Sequence, residues 1–151
     1  MAVALRWANE EDAPSIKRIV WEAHLNPLGI AWPRFLVAED EGRIVGIGQV
    51  KVHGDGSREL ASIATVPDRQ GEGIATAIIN ALLSTQAGTL YLTCRAPNEK
   101  FYERFGFRKV DQTHGSPPYF KRMIRLMNAA QALARLFGLA ERGMVMLRKG
   151  E

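Results

Sequence analysis

The chain has 151 residues, 46% of them apolar and 24% charged, with one cysteine and a formal net charge of +4. Those values predict one compact domain, 1–151, with a real core; no repeat, low-complexity stretch or linker divides it. One cysteine excludes an internal disulfide and fits a reducing cytoplasm, no signal peptide is visible, and no run approaches the roughly eighteen apolar residues of a membrane span.

Val3 to Trp7 reads as the first strand. Asn9 can cap the helix that follows, with Glu10, Glu11 and Asp12 in the turn favoured by the helix dipole. Ile16, Ile19, Val20 and Ala23 give that helix an apolar face, and Asn26 to Pro33 breaks the period into a loop. Phe35 to Glu39 and Ile44 to Val52 are predicted strands joined by the acidic, glycine-containing turn at 39–43. His53-Gly54-Asp55-Gly56-Ser57 is a second turn and leads into a strand at Glu59.

Leu60 to Val66 is a short branched run closed by Pro67, a buried strand. Ile74, Ile78 and Leu82, with Ala75, Ile79 and Leu83 beside them, form the broad apolar stripe of a helix packed on a sheet. Gly71 and Gly73 lie in the turn between. A strand that turns through glycines into a helix leaves N–H groups unpaired at the positive end of the helix dipole, a site suited to phosphate. A P-loop is excluded, because Gly73 is followed by Ile-Ala-Thr-Ala and not by Lys-Ser/Thr. A dinucleotide fingerprint is excluded too: Thr76 stands where its third glycine would be, and Leu90 to Arg95 offers no acidic residue.

Thr85 to Gly88 close the helix and Thr89 to Cys94 form the next strand, in which Cys94 reads as a small buried residue. A loop from Arg95 to Lys100 leads to Phe101-Tyr102-Glu103-Arg104-Phe105-Gly106-Phe107, where Gly106 suits a left-handed helix end and Phe107 a buried strand start. The strand is expected to run to Val110. Pro117-Pro118 can start a helix whose apolar face would be Phe120, Met123, Ile124, Met127, Ala130, Ala134 and Phe137, with Gly138 as its stop. Residues 117–142 carry five basic side chains against Glu141, which reads as a solvated basic face in preference to a membrane or nucleic-acid surface. Met144 to Lys149 is the last predicted strand.

Gln70-Gly71-Glu72-Gly73-Ile74-Ala75 resembles the Gln/Arg-x-x-Gly-x-Gly/Ala signature of the GNAT superfamily of acyl-coenzyme A N-acyltransferases, and Tyr102 to Phe107 resembles its Tyr-x-x-x-Gly-Phe hallmark, in the family's order and spacing. The resemblance implies an α/β (α+β) single-domain fold. Its central sheet would be mixed, mostly antiparallel, of about six to seven strands flanked by helices, here with an extra helical segment before the last strand. It implies acetyl-coenzyme A as co-substrate and no metal. By the same resemblance Ile63, Ala64 and Thr65 would hold the pantetheine arm and polarise the acetyl carbonyl, while Gln70, Gly71, Glu72, Gly73, Ile74, Ala75 and Thr76 would wrap the pyrophosphate. The loop at 26–33 would overhang the acceptor, with Trp32 either a substrate wall or a core aromatic. Many members carry an asparagine seven residues before the tyrosine; this chain has Arg95 there, and Asn98 is out of register, so that role is not carried over.

The chemistry makes three demands. An amine acceptor is mostly ammonium at neutral pH and must lose a proton, the tetrahedral oxyanion needs a donor, and the departing thiolate should receive a proton. Tyr102 is the candidate acid. Glu59 is the candidate base, since counting back from Gln70 places it where the histone-acetyltransferase branch has its glutamate; the alternative for Glu59 is a solvated carboxylate at a strand start. The leading expectation is an N-acetyltransferase acting by direct transfer on an amine-bearing small molecule or peptide. The alternative is a catalytically silent coenzyme A-binding regulatory module, and a weaker reading places the acceptor on a protein or tRNA. A homodimer is left open, while a membrane partner is not expected and nucleic acid is disfavoured.

Overall fold

The computed structural model describes residues 3–110, 116–138 and 144–150. Seven strands form one mixed sheet: β1 (Ala4–Trp7), β2 (Phe35–Asp40), β3 (Arg43–Val52), β4 (Arg58–Thr65), β5 (Leu90–Arg95), β6 (Arg108–Lys109) and β7 (Met144–Lys149), in the order β1-β2-β3-β4-β5-β7-β6. The helices are α1 (Ala13–Glu22), α2 (Ile74–Ser84), α3 (Glu99–Glu103) and α4 (Pro118–Leu136). By contacts the chain falls into two compact units, Met1–Lys51 with Leu60–Ala87, and Val52–Glu59 with Gly88–Glu151.

In the first unit β1, β2 and β3 are antiparallel neighbours. Asn9 caps a single turn, Glu10–Asp12, ahead of α1: its side chain accepts from the Glu11 N–H at 3.0 Å while Asp12 accepts from the Asn9 N–H at 2.8 Å. Arg6 forks onto the buried Asp12 at 2.6 and 2.9 Å and reaches Glu39 at 2.7 Å. Those bonds hold the Asp12 carboxyl below its ordinary pKa. Ile16, Ile19 and Val20 bury the predicted face of α1.

Gly46 and Gly48 explain how α2 comes so close to β3. A Cβ on Gly46 would stand 2.6 Å from Ile74, and one on Gly48 would stand 2.6 Å from Ile78 and 2.7 Å from Ile63. The bare backbone lets Ile74, Ile78, Ile79 and Leu82 bury fully. That packing fixes where the first turn of α2 begins.

In the second unit β5 pairs along its whole length with β7, from Leu90↔Lys149 to Arg95↔Met144, and joins β4 in parallel through Glu59↔Tyr91. The strand expected over 107–110 pairs only at Arg108 and Lys109, although the Val110 N–H still donates to Met146. α4 covers this unit with Phe120 and Ile124, which pack on Tyr91 and Met146 beside Val110, Tyr119, Met123 and Met127. Its expected apolar face is therefore half right. Ala130 is exposed, Phe137 is 74% exposed, and Leu126, Leu133 and Leu136 are exposed too, so only the first half of the helix is core. Gly138, at φ +70°, ends it as expected. Asp111, Glu141 and Arg142 lie outside the described residues.

Candidate active site

The glycine turn belongs to the first unit. Gly71 and Gly73 both adopt left-handed backbone, φ +82° and +81°, which side-chain-bearing residues reach only at a cost. Gly73 is the N-cap of α2 and supplies no side-chain cap, so the N–H groups of the first turn have no side-chain partner. A Cβ on either glycine would meet no protein atom within 4 Å, so the outer face of the turn is open. The turn itself is braced. Arg69 donates to Asp40 and to Glu72 at 2.6 Å each, and Arg43 forks onto Asp68 at 2.7 and 2.8 Å. Gln70 turns its amide back on the Thr65 carbonyl at 3.3 Å. The side chains of Gln70 and Glu72 thus hold the turn, and an anion would meet the backbone N–H groups from Gly71 to Thr76 with the dipole of α2 behind them.

Upstream, Ser62 interrupts β4 with φ +56°, an unusual conformation for a residue with a side chain. Its hydroxyl accepts a 2.9 Å hydrogen bond from the amide of Gln49, which is fully buried. The kink falls immediately before Ile63, Ala64 and Thr65. Ile63 and Thr65 are half-buried, Ala64 is buried, and the Thr65 hydroxyl is a buried group without a hydrogen-bond partner. That irregularity, inside a strand that runs on to Thr65, falls where the family resemblance puts the coenzyme arm.

Glu59 lies in the second unit and is not the solvated carboxylate of the alternative reading: it is 7% exposed. Its Oε2 stands 2.7 Å from Nε2 of His53. The turn brings them together, since the His53 N–H donates to the Ser57 carbonyl and Glu59 lies two residues beyond Ser57, on the same face of β4. The ring of Tyr119, from α4, stacks on His53 with centroids 3.5 Å apart and planes 12° from parallel, and Phe120 meets its edge. Asp55 ties the turn to α4 by accepting from the Tyr119 N–H at 2.9 Å. The Ser57 hydroxyl, then the N–H groups of Tyr119 and Ser57, hold the Asp55 carboxyl down at about 2. Burial, with Glu59 and Asp55 nearby, pushes the Tyr119 phenol up. Sequence reasoning read His53 and Asp55 only as turn residues and missed Tyr119; the hairpin spacing was the available signal, but the part played by α4 is a long-range contact.

Tyr102 sits on α3 in the same unit, its ring edge-on to Phe101 and Phe107. Burial, and then the neighbouring Cys94, push its phenol up to about 12. Cys94 is buried, and burial followed by Glu99 raises its thiol to about 11, which favours the protonated thiol. Arg95 and Asn98 are exposed. Trp32 is half-buried and, with Ala13, Ile16, Lys17, Ile30, Ala31 and Pro33, lines a cavity of about 210 Å³. Among the described residues no group of three or more His, Cys, Asp or Glu is placed to hold a metal, and no helix is long and apolar enough to cross a membrane.

A family model described as an acetyltransferase (GNAT) domain matches residues 31–109. An amino-acid acetyltransferase of Mycobacterium tuberculosis is 29% identical over 137 residues, covering 80% of this chain and 77% of that protein. A solved M. tuberculosis protein in complex with coenzyme A and a second ligand superposes with a TM-score of 0.72 at 24% identity, over 98% of this chain and 99% of that one. The N-acetylglutamate synthase of Neisseria gonorrhoeae, complexed with coenzyme A and N-acetyl-glutamate, gives 0.73 at 18% identity over 99% of this chain but only 35% of that one. At such identities the two structures speak for the fold alone.

Proposed function

Because the chain belongs to the GNAT family of acetyltransferases, and is thus an acetyl-coenzyme A-dependent N-acetyltransferase, we propose that it acetylates the primary amine of an amino acid or short peptide by direct transfer in a ternary complex. The amino-acid acceptor is favoured by the 29% identical relative, an amino-acid acetyltransferase. The matched segment, 31–109, draws on both compact units, which supports reading 1–151 as one acetyltransferase domain. The cytoplasm, without membrane or nucleic acid, is the setting this reading assigns.

Glu59 carries the proposal: a carboxylate 7% exposed, eleven residues before Gln70, with one oxygen engaged by histidine. It takes one proton from the acceptor ammonium. The freed nitrogen bonds to the acetyl carbon, the carbonyl electrons move to oxygen and return, and the C–S bond breaks; the nitrogen then loses its second proton. The products are the amide, the free thiol and one proton released to solvent. N–H groups around Ile63, Ala64 and Thr65 face the thioester, and those from Gly71 to Thr76 meet the pyrophosphate.

Tyr102 serves the leaving thiolate. Its phenol, pushed up to about 12, holds its proton at working pH and is the acid for the departing sulfur, refilled by the second proton lost from nitrogen. The test is Glu59→Gln against a panel of amino acids, polyamines and peptides, read by thiol release across pH. The rate should fall most near neutrality and recover at high pH, where free amine is abundant. An equal loss at every pH would remove Glu59 as the base.

A further inference from the structure

The histidine beside Glu59 is largely covered, its side chain 11% exposed, and exchanges no proton with the acceptor. We propose that His53 is a positioning residue for Glu59: its neutral imidazole, protonated on Nε2, donates to the carboxylate and keeps it aimed. The inference rests on the reading of Glu59 as the base.

Three observations carry it. First, the pair is shielded: the side chains of His53 and Glu59 are 11% and 10% exposed, at a separation of 2.7 Å. A hydrogen bond to an ionised group under such cover is among the stronger ones. Second, the ring cannot turn away. Tyr119 covers its face, Phe120 meets it edge-on, and the His53 backbone is bonded to both Ser57 and Gly56. Third, the groups around it divide by role. Asp55 is spent on Ser57 and on the Tyr119 N–H, and Lys51, two residues earlier on β3, donates to the Leu28 carbonyl at 2.8 Å. The Tyr119 ring is stacked on the imidazole. Glu59 is thus the carboxylate bonded to the imidazole.

The experiment uses His53→Leu, His53→Gln, Glu59→Gln and the double variant His53→Leu/Glu59→Gln, each checked for folding by circular dichroism and for coenzyme affinity by calorimetry. His53→Leu should lower kcat/KM about 10- to 10²-fold with coenzyme affinity unchanged. His53→Gln keeps a donor and should recover most of the rate. In the Glu59→Gln background, His53→Leu should cost nothing further. No recovery in His53→Gln, or an undiminished loss in the double variant, would overturn the proposal. Long-range proton–nitrogen correlation on the wild type reads the tautomer without any substrate. An Nε2–H ring at alkaline pH that changes in Glu59→Gln is expected, and an Nδ1–H ring would refute the pair. If the wild type transfers no acetyl group, the acetyltransferase reading fails and this role with it. If the wild type is active and Glu59→Gln is not, while the His53 variants behave as wild type, only the present inference fails.

Discussion

Tyr102 shows what one buried side chain contributes. Its phenol, pushed up to about 12, stays neutral throughout the working range and offers a hydrogen bond to sulfur. Tyr102→Phe should lower kcat by about 10- to 10²-fold, the worth of a hydrogen bond to a charged group, with little change in the coenzyme constant. Equal losses in both, by steady-state kinetics, would make the ring a packing residue. The sign for stability follows: a raised pKa favours the neutral form in the folded state, so nothing is lost below pH ~10, and stability falls as pH rises from there toward ~12. Gly73 makes the second point. Its left-handed φ costs any L side chain about 1–2 kcal/mol, and the open space beyond it is where an anion would sit. Gly73→Val should fold and lose coenzyme affinity by more than tenfold in calorimetry; a folded variant with wild-type affinity would remove the pyrophosphate from this turn.

At the scale of elements, α4 separates two kinds of apolar residue that look alike in sequence. Phe120 is fully buried on Tyr91 and Met146, whereas Leu136 is 82% exposed. Phe120→Ala should cost about 3–5 kcal/mol in urea unfolding, and Leu136→Ser less than about 0.5 kcal/mol. Comparable losses would mean that the outer half of α4 is also covered. The same contrast argues against excising residues 114–142 to ask what α4 does, because the cut would expose the face of Tyr91. The helix was legible from its three- and four-residue period, and its start from Pro117-Pro118. Its buried half was not, because the period continues through Phe137 after the partner surface has ended. The β6 strand shows the converse: Phe107 and Val110 frame a strand pattern, but pairing is confined to the two residues that have a register partner on β7.

For the whole molecule, the elements that position the chemistry were readable because they are local. Gly71, Gly73 and the stripe Ile74, Ile78, Leu82 announce the turn and its helix, and Tyr102 to Phe107 announces the second hallmark. What was not readable lies in contacts across the chain. Ser62 carries no sign of its left-handed backbone, Gln49 none of its role beneath it, and His53 meets Tyr119 across 65 intervening residues. The net charge of +4 was a poor guide to function, since three arginines are paired with carboxylates of the same chain: Arg6 with Asp12 and Glu39, Arg43 with Asp68, Arg69 with Asp40 and Glu72.

The central claim is that this chain moves an acetyl group from sulfur to an amine by using Glu59. The most direct measurement is mass spectrometry of a mixed amino-acid and peptide pool incubated with the protein and acetyl-coenzyme A labelled with ¹³C in the acetyl group. The account predicts one or a few labelled N-acetyl products with wild type, and a strong loss of them at neutral pH with folded Glu59→Gln. Labelled products formed equally fast by Glu59→Gln would contradict it, as would a wild type that binds the coenzyme and leaves every amine unlabelled.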